Sequence, residues 1–154
     1  MAKKRGHGWT ESRASRSKQK AAKAQKALNR KRDKALQTLY TEHLAQVGCF
    51  AAGRKCEGEL QGAHRKGREV PRKKRVFAQL VYRVPSSVKQ KIRDLRPQLT
   101  RTGVLCKSCH KLYDSDHPPT WASSFTQRGA VEAKWGEFLK GYATLSRTLS
   151  DSTP

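Results

Sequence analysis

The sequence has few acidic residues, few aromatic residues and no long apolar run. Only 12 of its 154 residues are Asp or Glu, against 34 Lys and Arg, which gives a formal net charge of +22. Because the longest apolar runs are only a few residues, no segment is predicted to cross a bilayer. The N-terminus is basic, but no apolar region follows it, so we expect no signal peptide and a protein that is not secreted.

This basic excess favours a polyanionic partner, because each phosphate that a Lys or Arg neutralises releases counterions. DNA and RNA are the obvious candidates, and double-stranded DNA is the partner we favour. A membrane surface fits less well, because no segment combines a strong apolar face with this charge. Hydrophobic residues make up 35% of the chain, so the core is small and a metal ion would help to stabilise it.

Four cysteines form two pairs about fifty residues apart, Cys49 with Cys56 and Cys106 with Cys109. Two disulfides are one interpretation, but they need an oxidising compartment that no secretion signal supports. Thiolates at this spacing suit a tetrahedral zinc ion that joins the two pairs. The pattern therefore favours one structural Zn²⁺, with two disulfides as the alternative.

The second cysteine pair runs directly into a histidine and, four residues later, an aspartate. In a helix that begins near Cys109, His110 and Asp114 lie one turn apart on the same face. Such a face can present an imidazole and a carboxylate to a divalent ion separate from the zinc. Between the cysteine pairs, residues 59–64 are predicted to form a short strand that ends at His64. A histidine in a glycine-rich loop is usually a surface residue, but this position makes His64 a candidate for catalysis.

Composition divides the chain into five segments. Residues 1–20 are predicted to be a flexible basic arm and residues 21–47 a basic helix without Pro or Gly. Residues 48–117 form the zinc-stapled domain, residues 118–149 a C-terminal helical segment that packs over it, and residues 150–154 a tail. Within the domain, a helix is expected to begin near Ser87.

Two basic stretches are candidate contacts to a nucleic-acid backbone, one on the long helix and one in the insert after His64. Their residues are Lys23, Lys26, Arg30, Lys31, Arg32, Lys34, Arg65, Lys66, Arg68, Arg72, Lys73, Lys74 and Arg75. For the helix, a merely solvated basic face is the alternative.

The order of these features resembles the HNH nuclease superfamily, in particular small phage-type HNH proteins with a four-cysteine zinc knuckle. The resemblance covers roughly residues 47–117, and it is concentrated in Ala-His-Arg-Lys-Gly at 63–67 and Val-Leu-Cys-Lys-Ser-Cys-His at 104–110. It implies an α+β fold with a ββα-metal core, flanked here by the basic N-terminal helix and the C-terminal helical segment. It also implies a cytoplasmic protein of a bacterial or phage-infected cell.

The resemblance implies a role for each histidine. In the family a structural zinc holds the hairpin and the helix together, while a separate Mg²⁺, Mn²⁺, Ni²⁺ or Zn²⁺ ion binds the scissile phosphate. His64 matches the general base, His110 matches a ligand of the catalytic ion, and Asp114 matches a further ligand one turn on.

Two positions depart from the family pattern. Ala63 stands where the family usually has an Asp or His that binds the catalytic ion, and residues 100–103 contain no Asn to orient the base. Asp116 and His117 are candidates to complete the metal site.

Three hypotheses follow from these features. A metal-dependent HNH endonuclease that cuts or nicks DNA is the leading one. The second is a non-catalytic zinc-containing nucleic-acid-binding protein, architectural or ribosome-associated, on a degenerate HNH scaffold, and both departures favour it. The third is a factor that docks on an acidic protein partner.

Overall fold

The computed structural model describes residues 13–53, 56–65 and 87–151 of the chain. These residues form five helices and one sheet of two strands, and the fold is α+β. In chain order the elements are α1 (Arg13–Val47), β1 (Leu60–His64), α2 (Val88–Leu99), β2 (Thr102–Cys106), α3 (Lys107–Tyr113), α4 (Trp121–Glu132) and α5 (Trp135–Asp151).

The chain divides into two compact units, residues 1–31 and residues 32–154. In the first unit the described residues are helical from Arg13 onwards, so the predicted flexible arm of residues 1–20 is wrong for residues 13–20. Alanine and long unbranched side chains dominate this stretch and favour a helix even without an apolar stripe. In the second unit, α1 ends at Val47, and Gly48 follows with a positive φ of 76° that suits glycine.

The two strands pair antiparallel, with Leu60 opposite Cys106 and His64 opposite Thr102. A sheet of two short strands is marginally stable in water and needs packing against other elements. Side chains alternate between the faces of a strand, so Gln61 and Ala63 lie on one face with Leu105, the residue opposite Gln61. His64 lies on the other face.

One hydrophobic core covers the face of the sheet that carries Val104. Val104 packs there with Leu95 and Leu99 of α2 and with Trp135 of α5. The end of α1 supplies further buried residues, of which Leu36 is fully inaccessible to solvent. Two polar contacts fix this core, since Trp135 Nε1 donates to Thr102 O at 2.6 Å and His43 Nε2 lies 2.8 Å from Ala133 O.

A second core covers the opposite face. Ala63 and Leu105 pack there with Cys109 and Tyr113 of α3 and with Phe125 of α4. The rings of Tyr113 and Phe125 meet edge to face at 4.8 Å. The sheet is therefore enclosed on both sides, which compensates for its small size.

The C-terminal segment forms two helices, α4 and α5, joined at Ala133 and Lys134. Its aromatic residues divide between the two cores. Val131 is a large apolar residue, for which its type alone predicts burial, yet its side chain is 76% exposed, because it lies on the outer side of α4. Among the described residues, no helix has both the length and the apolar character needed to cross a membrane.

Gly103→Ala should destabilise the protein. A Cβ at this position would lie 2.7 Å from Phe125 Cζ and 3.0 Å from the backbone carbonyl carbon of Gly129. Overpacking of this kind costs about 1–3 kcal/mol. Urea unfolding should show a free energy of unfolding that is lower by that amount.

Gly136→Ala is the matched control, because no atom lies within 4 Å of the added Cβ. Alanine is the better helix former, by about 0.5–1 kcal/mol. The free energy of unfolding should stay the same or rise slightly. Equal losses in both variants would contradict the close approach of α4 to the sheet.

Candidate metal centre and adjoining histidines

Four elements of the fold bring the cysteines together. Cys49 follows the end of α1, Cys56 lies in the loop before β1, Cys106 is the last residue of β2 and Cys109 lies in the first turn of α3. All four sulfur atoms lie within 4.8 Å of one another, and all four cysteines are free. The disulfide alternative therefore does not describe this structure.

The sulfur cluster has the dimensions of a zinc site. Zn–S bonds of about 2.3 Å at tetrahedral angles place sulfur atoms about 3.8 Å apart. Cys56 Sγ and Cys109 Sγ are 3.6 Å apart. The four cysteines can thus hold a metal ion, and the donor set is consistent with structural zinc.

Backbone amides donate hydrogen bonds to sulfur atoms of the cluster. The Gly53 amide donates to Cys56 Sγ at 3.4 Å, and the Cys106 amide donates to Cys49 Sγ at 3.3 Å. Burial opposes ionisation of Cys106, but hydrogen bonds from Ser108 and Cys109 outweigh it and lower the pKa of Cys106 to about 6. Burial and the neighbouring sulfur atoms raise the pKa of Cys109, and burial raises the pKa of Cys49. Metal binding would release the protons that these thiols retain.

Ser108 connects the cluster to the loop before β1. Its hydroxyl accepts a hydrogen bond from the Glu57 amide at 2.9 Å and lies 3.3 Å from Cys106 Sγ. Its amide donates to Glu57 O at 3.2 Å. The loop that carries Cys56 is therefore tied to the first turn of α3 independently of any metal.

The structure brings His110 and Asp114 together on α3, one turn apart. His110 Nε2 lies 3.3 Å from Asp114 Oδ2, with side-chain exposures of 28% and 60%. On its other side, His110 Nδ1 lies 3.1 Å from Gln61 Oε1 of β1. The imidazole thus lies between the carboxylate of Asp114 on α3 and the side-chain amide of Gln61 on β1.

His64 ends β1 opposite Thr102 and is half buried. Strand alternation places His64 on the face of the sheet opposite to Gln61 and Ala63. Thr102 is fully buried, and its hydroxyl donates to Gln98 O at 2.8 Å. Thr102 therefore lies opposite His64, the candidate general base. Residues 100–103, which include Thr102, contain no Asn that could orient this base.

Ala63 is fully buried in the core beneath α3, so the position of the usual third ligand carries only a methyl group. Asp116 and His117 are exposed in the segment between α3 and α4. No metal-binding group of three or more residues joins them to His110 within the described residues.

The basic residues differ in exposure. Arg32 is buried, with 8% of its surface exposed, so its assignment to the nucleic-acid contact surface is wrong. Arg65 is half exposed. The remaining described candidates are exposed, namely Lys23, Lys26, Arg30, Lys31 and Lys34. The others lie outside the described residues, namely Lys66, Arg68, Arg72, Lys73, Lys74 and Arg75.

Gln61 and Ser108 were not predicted as site residues, because each contacts residues that are distant from it in the sequence. A strand from 59 to 64 puts residues 61 and 63 on the same face, so alternation could have placed Gln61 towards the helix. No sequence signal identifies its partner as His110.

Comparisons of the chain with protein-family models, curated proteins and solved structures find no match. What the chain can do is therefore inferred from its own sulfur cluster, histidines and charge.

The purified protein should contain about one equivalent of zinc, and Cys109→Ser should contain close to none, because three thiolates hold the ion less tightly and Cys109 lies at the centre of the second core. Elemental analysis gives the stoichiometry. A chelator should lower the thermal unfolding midpoint of the wild type, and the same chelator saturated with Zn²⁺ should not. A native Cys49–Cys56 or Cys106–Cys109 disulfide found by mass spectrometry would overturn the zinc assignment.

Proposed function

We propose that the protein is a metal-dependent endonuclease of the HNH type that cuts or nicks DNA. The observation that carries the proposal is the arrangement of β1, β2 and α3. Two antiparallel strands lead directly into a helix that bears two cysteines of the sulfur cluster and then His110 and Asp114. This is the order that a ββα-metal core requires, with a zinc staple at one end and ionisable side chains beyond it.

The spacing of His110 and Asp114 suits a direct ion pair between them and is equally compatible with a shared divalent ion. At metal–ligand bonds of about 2.1 Å, two donors are about 3.0 Å apart for a right-angled pair and about 3.4 Å apart for a tetrahedral pair. The observed 3.3 Å between Nε2 and Oδ2 falls between these values. Both side chains reach solvent, so a phosphate group could approach them. The fit is incomplete, because Ala63 supplies no third ligand.

A divalent ion at His110 and Asp114 would polarise the scissile phosphodiester and stabilise the charge that develops on it. His64 would act as the general base and accept the proton of the attacking water, a role that an imidazole fills in its neutral form. The position of His64 at the end of β1, beyond which the chain turns basic, suits contact with a nucleic-acid backbone. Strand alternation puts His64 on the sheet face opposite to the pair on α3, so this mechanism requires the scissile phosphate to lie at the end of the sheet, where side chains of both faces can reach it.

A basic stripe on α1 supports nucleic acid as the substrate. Between Glu11 and Asp33 the sequence has no acidic residue. Arg16, Lys20 and Lys23 are spaced by four and three residues, so they lie on one side of the helix, and all three are exposed. Arg30 follows seven residues after Lys23 on the same side. Such a stripe binds phosphates without reading sequence.

A specific observation also favours the non-catalytic alternative. Ala63 is fully buried in the core, and the Thr102 hydroxyl donates its hydrogen bond to Gln98 O. A scaffold that keeps the zinc and the basic surface but lacks two parts of the active site could bind nucleic acid without cleaving it.

The zinc-loaded protein should nick supercoiled plasmid when Mg²⁺, Mn²⁺ or Ni²⁺ is supplied. His64→Ala should lower the rate about 10²–10⁴-fold, which is the usual contribution of a general base. Asp114→Ala should lower it as well, because only His110 would remain on the helix as a ligand. The measurement is the initial rate of conversion to open-circular plasmid.

Gln127→Ala is the control for this assay, since Gln127 is exposed on α4. Its nicking rate should equal that of the wild type. Salt-sensitive plasmid binding without cleavage under any of the three ions would reject the nuclease and leave the non-catalytic alternative.

Binding of a DNA duplex should depend steeply on salt, and the α1 stripe should account for part of that dependence. Each phosphate contact contributes about 0.9 to the log–log slope of affinity against salt. The triple variant Lys20→Gln, Lys23→Gln and Arg30→Gln should therefore lower the slope by up to about 3. Fluorescence anisotropy across a salt series measures it.

A second triple variant removes the same charge elsewhere, at Lys89, Lys140 and Arg147, which are exposed on α2 and α5. Its slope should stay close to that of the wild type. Equal reductions in both variants would mean that net charge, and not the α1 stripe, governs binding.

A further inference from the structure

Gln61 of β1 lies beneath the first turns of α3. It pairs with Leu105, one residue before Cys106, which is the N-cap of α3. Gln61 and Ala63 share the sheet face that α3 covers, which is how the Gln61 side chain reaches a helix residue 49 positions away in sequence. The contact joins Gln61 Oε1 to His110 Nδ1 at 3.1 Å.

His110 is flanked by two hydrogen-bond acceptors. The carbonyl oxygen of Gln61 faces Nδ1, and a carboxylate oxygen of Asp114 faces Nε2. A neutral imidazole carries one N–H, so it can satisfy only one of these acceptors. The other ring nitrogen then presents a lone pair to an acceptor, an arrangement that either a second proton on the ring or a metal cation between the two atoms relieves.

We propose that Gln61 is a positioning residue that holds His110 in its Nδ1–H tautomer and so leaves Nε2 free to bind a divalent cation together with Asp114. This inference rests on the proposed nuclease site and adds a residue to it. A histidine that binds a metal ion usually donates its other ring N–H to a nearby acceptor, which fixes the tautomer and the orientation of the ring. In this chain the acceptor would be the side-chain amide oxygen of Gln61, and not a carboxylate.

The half-buried position of Gln61 suits this role. Asp114 is 60% exposed and competes with water for His110, whereas the bond to Gln61 lies between the strand and the helix. The hydrogen bond between Nδ1 and Gln61, on the more shielded side of the ring, therefore sets the tautomer. Nε2, on the more exposed side, remains available to the cation.

A merely structural link between β1 and α3 is the competing explanation. It would change the stability of the protein when Gln61 is replaced, but it would not require a particular tautomer of His110. The zinc content and the unfolding midpoint report the structural role, whereas the tautomer and the affinity for a second ion report the positioning role.

The experiment compares two replacements of similar size in the full-length, zinc-loaded protein. Gln61→Met removes the acceptor, and Gln61→Glu retains one. Long-range ¹H–¹⁵N spectra of the imidazole rings, recorded without a second metal ion, give the tautomer, with His110→Ala assigning the signal. Calorimetric titration with Ni²⁺ gives the affinity, and His110→Ala identifies the part of the Ni²⁺ binding that belongs to this site.

The expected wild-type result is a dominant Nδ1–H tautomer. Gln61→Met should lose that preference and bind Ni²⁺ about 10–100-fold more weakly, which is the usual effect of removing such a partner. Gln61→Glu should keep both properties. Gln127→Met, a matched replacement of an exposed glutamine on α4, should behave as the wild type.

Two failures are distinguishable. If His110→Ala weakens Ni²⁺ binding but Gln61→Met changes neither tautomer nor affinity, the role of Gln61 is wrong and the proposed metal site stands. If His110→Ala leaves Ni²⁺ binding unchanged, no ion binds at His110, and both the proposed catalytic site and the role of Gln61 fall. An Nε2–H tautomer in the wild type would also overturn the role of Gln61.

Discussion

The convergence of four cysteine sulfur atoms within 4.8 Å is the constraint on which the rest of this structure depends. The sheet consists of two strands of five residues each, too little to be stable by itself. The sulfur cluster joins the end of α1, the loop before β1, the end of β2 and the start of α3. A metal ion there would tie together segments that the sequence separates by as many as sixty residues, and the cores on the two faces of the sheet supply the remaining stability.

The same constraint orients the candidate catalytic residues. Cys106 ends β2 and immediately precedes α3, so anchoring its sulfur fixes where the helix begins. Since Cys109 is anchored too, the rotation of α3 is set, and His110 is directed to Gln61 while Asp114 lies one turn on. A structural ion would therefore act on the proposed catalytic site indirectly, by holding the helix that carries His110 and Asp114.

Most of what could be predicted from the sequence rests on patterns among residues that are close to one another in the chain. The cysteine spacing indicated a joint site, the Ala-rich stretch indicated the helix that ends at Val47, and the segment before His64 indicated a strand. Errors came where a residue's environment depends on distant parts of the chain. Arg32 reads as one more residue of a basic stretch, yet it is buried, and Val131 reads as core, yet it is exposed. The periodicity of a helix or strand shows which side chains share a face. It does not show which face the rest of the protein covers.

The sequence by itself determined the charge, the donor set of the sulfur cluster and the placing of His110 and Asp114 one turn apart, because composition and helical spacing are local properties. Only the tertiary structure decided that all four sulfur atoms meet, that Ala63 is sealed beneath α3, that His64 faces the opposite side of the sheet and that Gln61 reaches His110. These depend on strand register and on how α3 packs over the sheet, and a shift of register by one residue would exchange the two faces.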